Sequence, residues 1–98
     1  MIGGIFLKPS IISEAPTTIL NFLGYLQTIK GKSPKTVDEY YLDLRTFFRY
    51  IKYSRALVPK DSKFDEIPIS DVDISLIETI TLTDLYEYLN YLLVERNH

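Results

Sequence analysis

Cysteine is absent from the 98 residues, which removes disulfides, thiolate metal sites and thiol nucleophiles together and fits a reducing compartment. Histidine occurs once, as the terminal His98, so no paired-histidine metal motif can be assembled. Glycine is scarce, with four residues and no Gly-rich phosphate loop. Catalysis within these residues is therefore not expected, and no cofactor, metal or small-molecule substrate is implied. No run approaches the roughly 20 apolar residues that cross a bilayer. The opening Met1 to Leu7 is apolar, but it lacks a basic start and a small-residue cleavage site and is followed by Lys8-Pro9; it does not read as a signal peptide. A cytoplasmic protein without a membrane partner is the expectation. A global basic excess is also missing, since 13 acidic against 11 basic side chains give a formal charge of −2.

What is present is a balanced globular composition, 46% hydrophobic and 24% charged, long enough for one domain with one core. The charge is segregated. Residues 30 to 60 hold eight cations (Lys30, Lys32, Lys35, Arg45, Arg49, Lys52, Arg55, Lys60) against Asp38, Glu39 and Asp43. Residues 61 to 98 hold nine acids against Lys63 and Arg96. One surface able to face an anion is compatible with that asymmetry, as is an ordinary pair of solvated faces.

Residues 1–14 read as an N-terminal tail and 15–98 as the domain. A first helix is expected from Ala15-Pro16 to a left-handed stop at Lys30-Gly31, with Ile19, Phe22, Leu23, Leu26 and Ile29 as its buried stripe. Ser33-Pro34 reads as an N-cap with proline at the first helical position. It opens a long helix in which Val37, Tyr40, Tyr41, Leu44, Phe47, Phe48 and Ile51 recur at helical spacing. Residues 54–72, with Pro59 and Pro68, read as an exposed connection with a brief extended piece at Ile67 to Ile69. A turn or two of helix is expected over 73–80. A third long helix follows from a capping box at Thr81 and Asp84 through Leu82, Leu85, Leu89, Leu92 and Leu93. The fold class is all-α: a small bundle with three long helices and a short helical turn.

Two features carry chemistry. At Ser33-Pro34-Lys35-Thr36 the unpaired N–H groups and positive dipole end of a helix coincide with Lys30, Lys32 and Lys35, an arrangement suited to phosphate. The same residues also make an ordinary capped helix with solvated lysines. Further on, Arg45, Arg49 and Lys52 fall at spacings of four and three. That column either awaits a polyanion or complements the carbonyl end of the helix. The tyrosines Tyr40, Tyr41, Tyr88 and Tyr91 sit on or beside apolar stripes and read as core aromatics.

The run Gly31-Lys32-Ser33-Pro34-Lys35-Thr36-Val37-Asp38-Glu39-Tyr40, followed by Leu44, Phe47 and Phe48, resembles the N-terminal core-binding, SAM-like domain of tyrosine recombinases, the Xer-type and phage or transposon integrases. In that family a short helix leads through Ser-x-x-Thr-x-x-x-Tyr into a helix with Leu and Phe spaced as here. A later Ile-Thr-x-x-x-Leu-x-x-Tyr-Leu helix resembles Ile80 to Leu89, and the resemblance covers roughly residues 15 to 96.

The resemblance implies a non-catalytic module that binds the recombination half-site opposite a catalytic domain, mainly through phosphates, with double-stranded DNA and sister recombinase protomers as partners. The phosphate contact at the helix start carries onto Ser33 and Thr36, and the flanking contacts onto Lys32, Lys35 and Tyr40. Arg45 and Arg49 are added to the DNA-binding set on charge alone. In the family another Ser-x-x-Thr-type helix follows the third long one, so the chain is expected to be a piece truncated before that helix, and α-helical apolar surface is expected to be left uncovered. The acidic stretch 61–78 is expected to lie away from DNA. The alternative reading is a helical protein-protein interaction module without DNA binding, for which the leucine stripe widened by Tyr88 and Tyr91 is the motive.

Overall fold

The structure is a computed structural model that describes residues 7–96; the apolar opening through Phe6 and the terminal His98 lie outside the described residues. Every regular element among these is helical: α1 (Pro9–Glu14), α2 (Thr17–Thr28), α3 (Pro34–Ser54), a 3₁₀ turn (Phe64–Glu66), α4 (Ile74–Glu78) and α5 (Leu82–Tyr91), the last running into a wider π-type turn (Leu92–Arg96). The all-α expectation is met. Residues 9–14 are not tail: Pro9 occupies the first turn of α1, where a missing N–H costs nothing, and Ile11 and the following Ala15 enter the core.

The three longer helices begin and end where their local chemistry directs. Gly31 takes φ +65°, a conformation that suits a residue without Cβ, and this lets the Lys32 N–H turn back on the Leu26 carbonyl at 2.9 Å. Ser33 then caps α3, its Oγ accepting the Thr36 N–H at 3.2 Å. Asp73 caps α4 through the Leu76 N–H at 3.0 Å. At α5 the capping box is complete: Asp84 accepts the Thr81 N–H at 2.8 Å, and Thr81 Oγ1 accepts the Asp84 N–H at 3.2 Å.

The core gathers Ile19, Leu23 and Leu26 of α2 against Val37, Tyr41 and Phe48 of α3, with Ile11, Ala15, Ile69 and Val72 closing it. Each such side chain removed from water stabilises the fold by about 1.5–3 kcal/mol. Phe22 and Ile29, expected in the α2 stripe, are exposed, as is Tyr40 on α3. The buried arc of each helix is thus narrower than its apolar pattern.

Residues 54–66 are the largely exposed connection expected from their prolines and charges, but 67–72 turn inward. Ile67, Ile69 and Val72 are buried, and the chain is held by side chains of α3. Arg49, only 8% exposed, donates from Nε to the Ile67 carbonyl at 2.9 Å. Lys52, only 5% exposed, donates from Nζ to the Pro68 carbonyl at 2.7 Å and pairs with Asp71. Beyond the 3₁₀ turn at Phe64–Glu66 no regular ladder runs along 67–72, so α3 supplies partners for the Ile67 and Pro68 carbonyls.

Helix α5 departs most from its pattern. None of its residues is buried. It lies on α3 through a run of rings: Phe47 meets Tyr88 at 5.0 Å, Tyr88 meets Tyr50 at 5.4 Å, Tyr50 meets Tyr91 at 5.0 Å, and Tyr91 meets Phe64 at 5.9 Å between centroids. The tyrosines therefore make the contact, while Leu82, Leu85, Leu89 and Leu93 face solvent.

Candidate nucleic-acid interface

The start of α3 is built from backbone outward. Pro34 has no N–H, the Thr36 N–H is held by Ser33 Oγ, and the Val37 N–H reaches the Ser33 carbonyl at 3.0 Å. Of the four N–H positions that a helix leaves unpaired, Pro34 has none and Thr36 is held by Ser33, which leaves those of Ser33 and Lys35 without a protein acceptor among the described residues. Ser33 Oγ also donates to Thr36 Oγ1 at 3.0 Å. The Thr36 hydroxyl proton is thereby left to point elsewhere. Tyr40 lies one turn beyond Thr36, a spacing that places both on one side of the helix, and its ring is exposed.

Lys30, Lys32 and Lys35 surround this start and are all exposed, with no ion pair to any described residue. The acid nearest them on the helix, Asp38, is taken by Lys8 at 3.1 Å. Glu39, four residues after Lys35, is the other acid nearby, so the start sets three ammonium groups against one carboxylate, beside two available N–H groups and the dipole end of a 21-residue helix. Lys32, Ser33, Lys35 and Thr36 lie at or beside the start of α3, with Tyr40 one turn on from Thr36.

Arg45 and Arg49 do not join them. Thr36 and Arg45 are nine residues apart, as are Tyr40 and Arg49, and at about 100° per residue that turns each pair to opposite sides of the helix. On that far side Arg45 pairs with Glu14 at 3.1 Å and lies over the Tyr41 ring, 5.8 Å from its centroid. Tyr41 donates its hydroxyl to the same Glu14 carboxylate. Burial pushes the Glu14 carboxyl up, but the Tyr41 and Arg45 hydrogen bonds and the Arg45 and Arg49 charges outweigh it and hold it below its ordinary value. Burial, and then the Arg45 charge, draw the Arg49 pKa down. The cation column is an internal fastening of α1 and the 61–72 segment to α3. Glu14, Asp71 and the Ile67 and Pro68 carbonyls are its partners, and it is set apart from Lys35 by distance along the helix, ten residues or about 15 Å to Arg45.

The fold and this site together define an all-helical module with one capped, lysine-flanked helix start. Its sequence is similar to that of the tyrosine recombinase XerC of Caldanaerobacter subterraneus subsp. tengcongensis, 48% identical over 83 residues, which cover 85% of this chain and 24% of that protein. This identity relates the chain to the tyrosine recombinases. The chain spans about a quarter of the length of the curated relative it matches. No family model matches it, and no solved structure matches it. No helix among the described residues is long and apolar enough to cross a membrane.

Proposed function

We propose that the chain is a non-catalytic DNA-binding module of a site-specific tyrosine recombinase, a SAM-like core-binding domain that grips the recombination half-site through phosphates during DNA integration or recombination. The observation that carries this reading is the α3 start, where the exposed Lys30, Lys32 and Lys35 have no ion pair among the described residues. The relationship to XerC supplies the context. Lys32 and Lys35 neutralise phosphate charge, and the Thr36 hydroxyl and Lys35 N–H donate to phosphate oxygens. Ser33 orients Thr36, and Tyr40 flanks the track one turn on. Arg45 and Arg49 are left out, because both are engaged on the far side of α3.

Double-stranded DNA and sister recombinase protomers are the partners of this reading. The unit includes α1, whose Ile11 enters the core, and in the same proposal a further helix lies on the leucine face of α5. The test is fluorescence anisotropy of a labelled duplex at several salt concentrations. Log affinity falling with log salt at about −0.9 per neutralised phosphate supports the module.

A protein-protein module is the second reading. It is favoured by Leu82 and Leu93, exposed at 62% and 67% on one side of α5. An apolar contact of that kind responds little to salt, so the same titration separates the two.

A further inference from the structure

We infer that Ile29 is a base-reading residue of this chain, contacting thymine methyl groups in the major groove. The inference rests on the DNA-binding reading above and deepens it from phosphate contact to sequence preference.

Ile29 ends α2 and is 71% exposed, more than any other large hydrophobic side chain among the described residues. Such exposure is often without meaning for a single residue. Here the surroundings give it one. Lys30, Lys32 and Lys35 follow it closely in sequence, and none of them has an ion pair among the described residues. A protein surface laid over Ile29 would bring three ammonium groups against it, whereas a phosphate-lined groove supplies the opposite charge on both sides. Charge complementarity therefore selects duplex DNA as the occupant.

The position is also fixed. The Ile29 N–H is bonded to the Tyr25 carbonyl at 2.9 Å, and the Lys32 N–H ties the turn back to Leu26 at 2.9 Å. Tyr25, one turn earlier on the same side of α2, stacks on Phe22 with centroids 6.5 Å apart, and both rings are partly exposed. Ile29 is thus the tip of an apolar ridge that ends in the basic turn before α3. A branched hydrocarbon cannot hydrogen-bond to any base edge. The C5 methyl of thymine is the one apolar group that the major groove displays. Ordered phosphate contacts at Lys32 to Thr36 would hold the tip in register over that groove.

The test needs no knowledge of the natural target. Binding of the full chain is measured against an alternating dA-dT duplex and against the same duplex with deoxyuridine in place of thymidine, which removes only the methyl groups. The wild-type chain should favour the thymidine duplex by about fourfold for each methyl contact, the worth of one buried methylene-sized group. Ile29→Ser should bind both duplexes alike, with the affinity of the wild type for the deoxyuridine duplex, and circular dichroism should show its fold intact. Equal wild-type binding to the two duplexes overturns the inference while leaving phosphate binding standing. A thymidine preference that persists in Ile29→Ser overturns it as well. Self-association lost on Ile29→Ser overturns the inference alone, and failure to bind either duplex removes the DNA-binding reading and this inference with it.

Discussion

Arg49 and Ile67 are joined by a hydrogen bond of 2.9 Å from the guanidinium Nε to the main-chain carbonyl, although they are 18 residues apart and one belongs to a helix while the other lies in irregular chain. Arg49 is thereby a support for the core and no part of a DNA face. Its replacement by alanine is expected to cost about 2–3 kcal/mol, the range for a charged hydrogen bond whose buried acceptor is left alone. Urea unfolding gives that number. The salt slope of DNA binding should stay at its wild-type value.

Acidification provides a second prediction. The Glu14 and Asp71 carboxyls are held below their ordinary values, Asp71 chiefly by the hydrogen bond from Lys52. A carboxyl depressed in the folded state contributes stability that is fully present above its unfolded pKa and is lost as pH falls through the folded pKa. Stability should therefore be level near neutrality and decline below about pH 4.5, the ordinary range of these groups. Urea midpoints across pH 2.5–7 test this, and Glu14→Gln should be less stable at pH 7 and show a shallower acid slope.

The face of α5 leads to a third. Leu89 and Leu93 are exposed while Phe48 is buried. Leu89→Gln and Leu93→Gln should each change stability by less than about 0.5 kcal/mol, as surface substitutions do. Phe48→Ala should cost about 3–5 kcal/mol. Light scattering on the same variants reads out the uncovered stripe: any self-association of the wild type should diminish in the glutamine variants. If the glutamine changes destabilise the monomer as Phe48→Ala does, the leucines are packed and the assignment of this face fails.

The helix starts form a fourth. Thr81→Ala removes the acceptor of the Asp84 N–H and one half of the capping box. A loss of about 1 kcal/mol is expected. α5 meets α3 through Tyr88 and Tyr91, and Asp84 also pairs with Arg55 at the end of α3 at 2.9 Å, an ion pair that Thr81→Ala leaves in place, so thermal unfolding should remain a single transition.

The parts of the fold legible in the sequence were those decided within a few residues. Gly31, Ser33-Pro34, Asp73 and Thr81 with Asp84 mark the helix ends that the structure shows, because capping chemistry is local. Burial was less legible. Ile67 and Ile69 flank Pro68 in a stretch whose prolines and charges read as surface, and only two cations from α3, distant in sequence, make its carbonyls tolerable inside. Periodicity found the apolar side of α5 without telling which edge of it meets a neighbour. The rings of Phe47 and Tyr50 decided that in favour of Tyr88 and Tyr91. At the candidate interface, residue types grouped all the cations of α3, whereas Glu14, Asp71 and the Ile67 and Pro68 carbonyls, distant in sequence, engage Arg45, Arg49 and Lys52 and leave Lys35 free of an ion pair.

The lysines at the start of α3 allow the most direct measurement. Lys32→Gln/Lys35→Gln should leave urea stability within about 0.5 kcal/mol of wild type, since both side chains are exposed. It should weaken binding to unrelated duplexes by similar factors and lower the magnitude of the salt slope by about 0.9 for each phosphate contact removed. An unchanged salt slope, with folding and duplex affinity both retained, would contradict the assignment of this helix start as the phosphate-binding face.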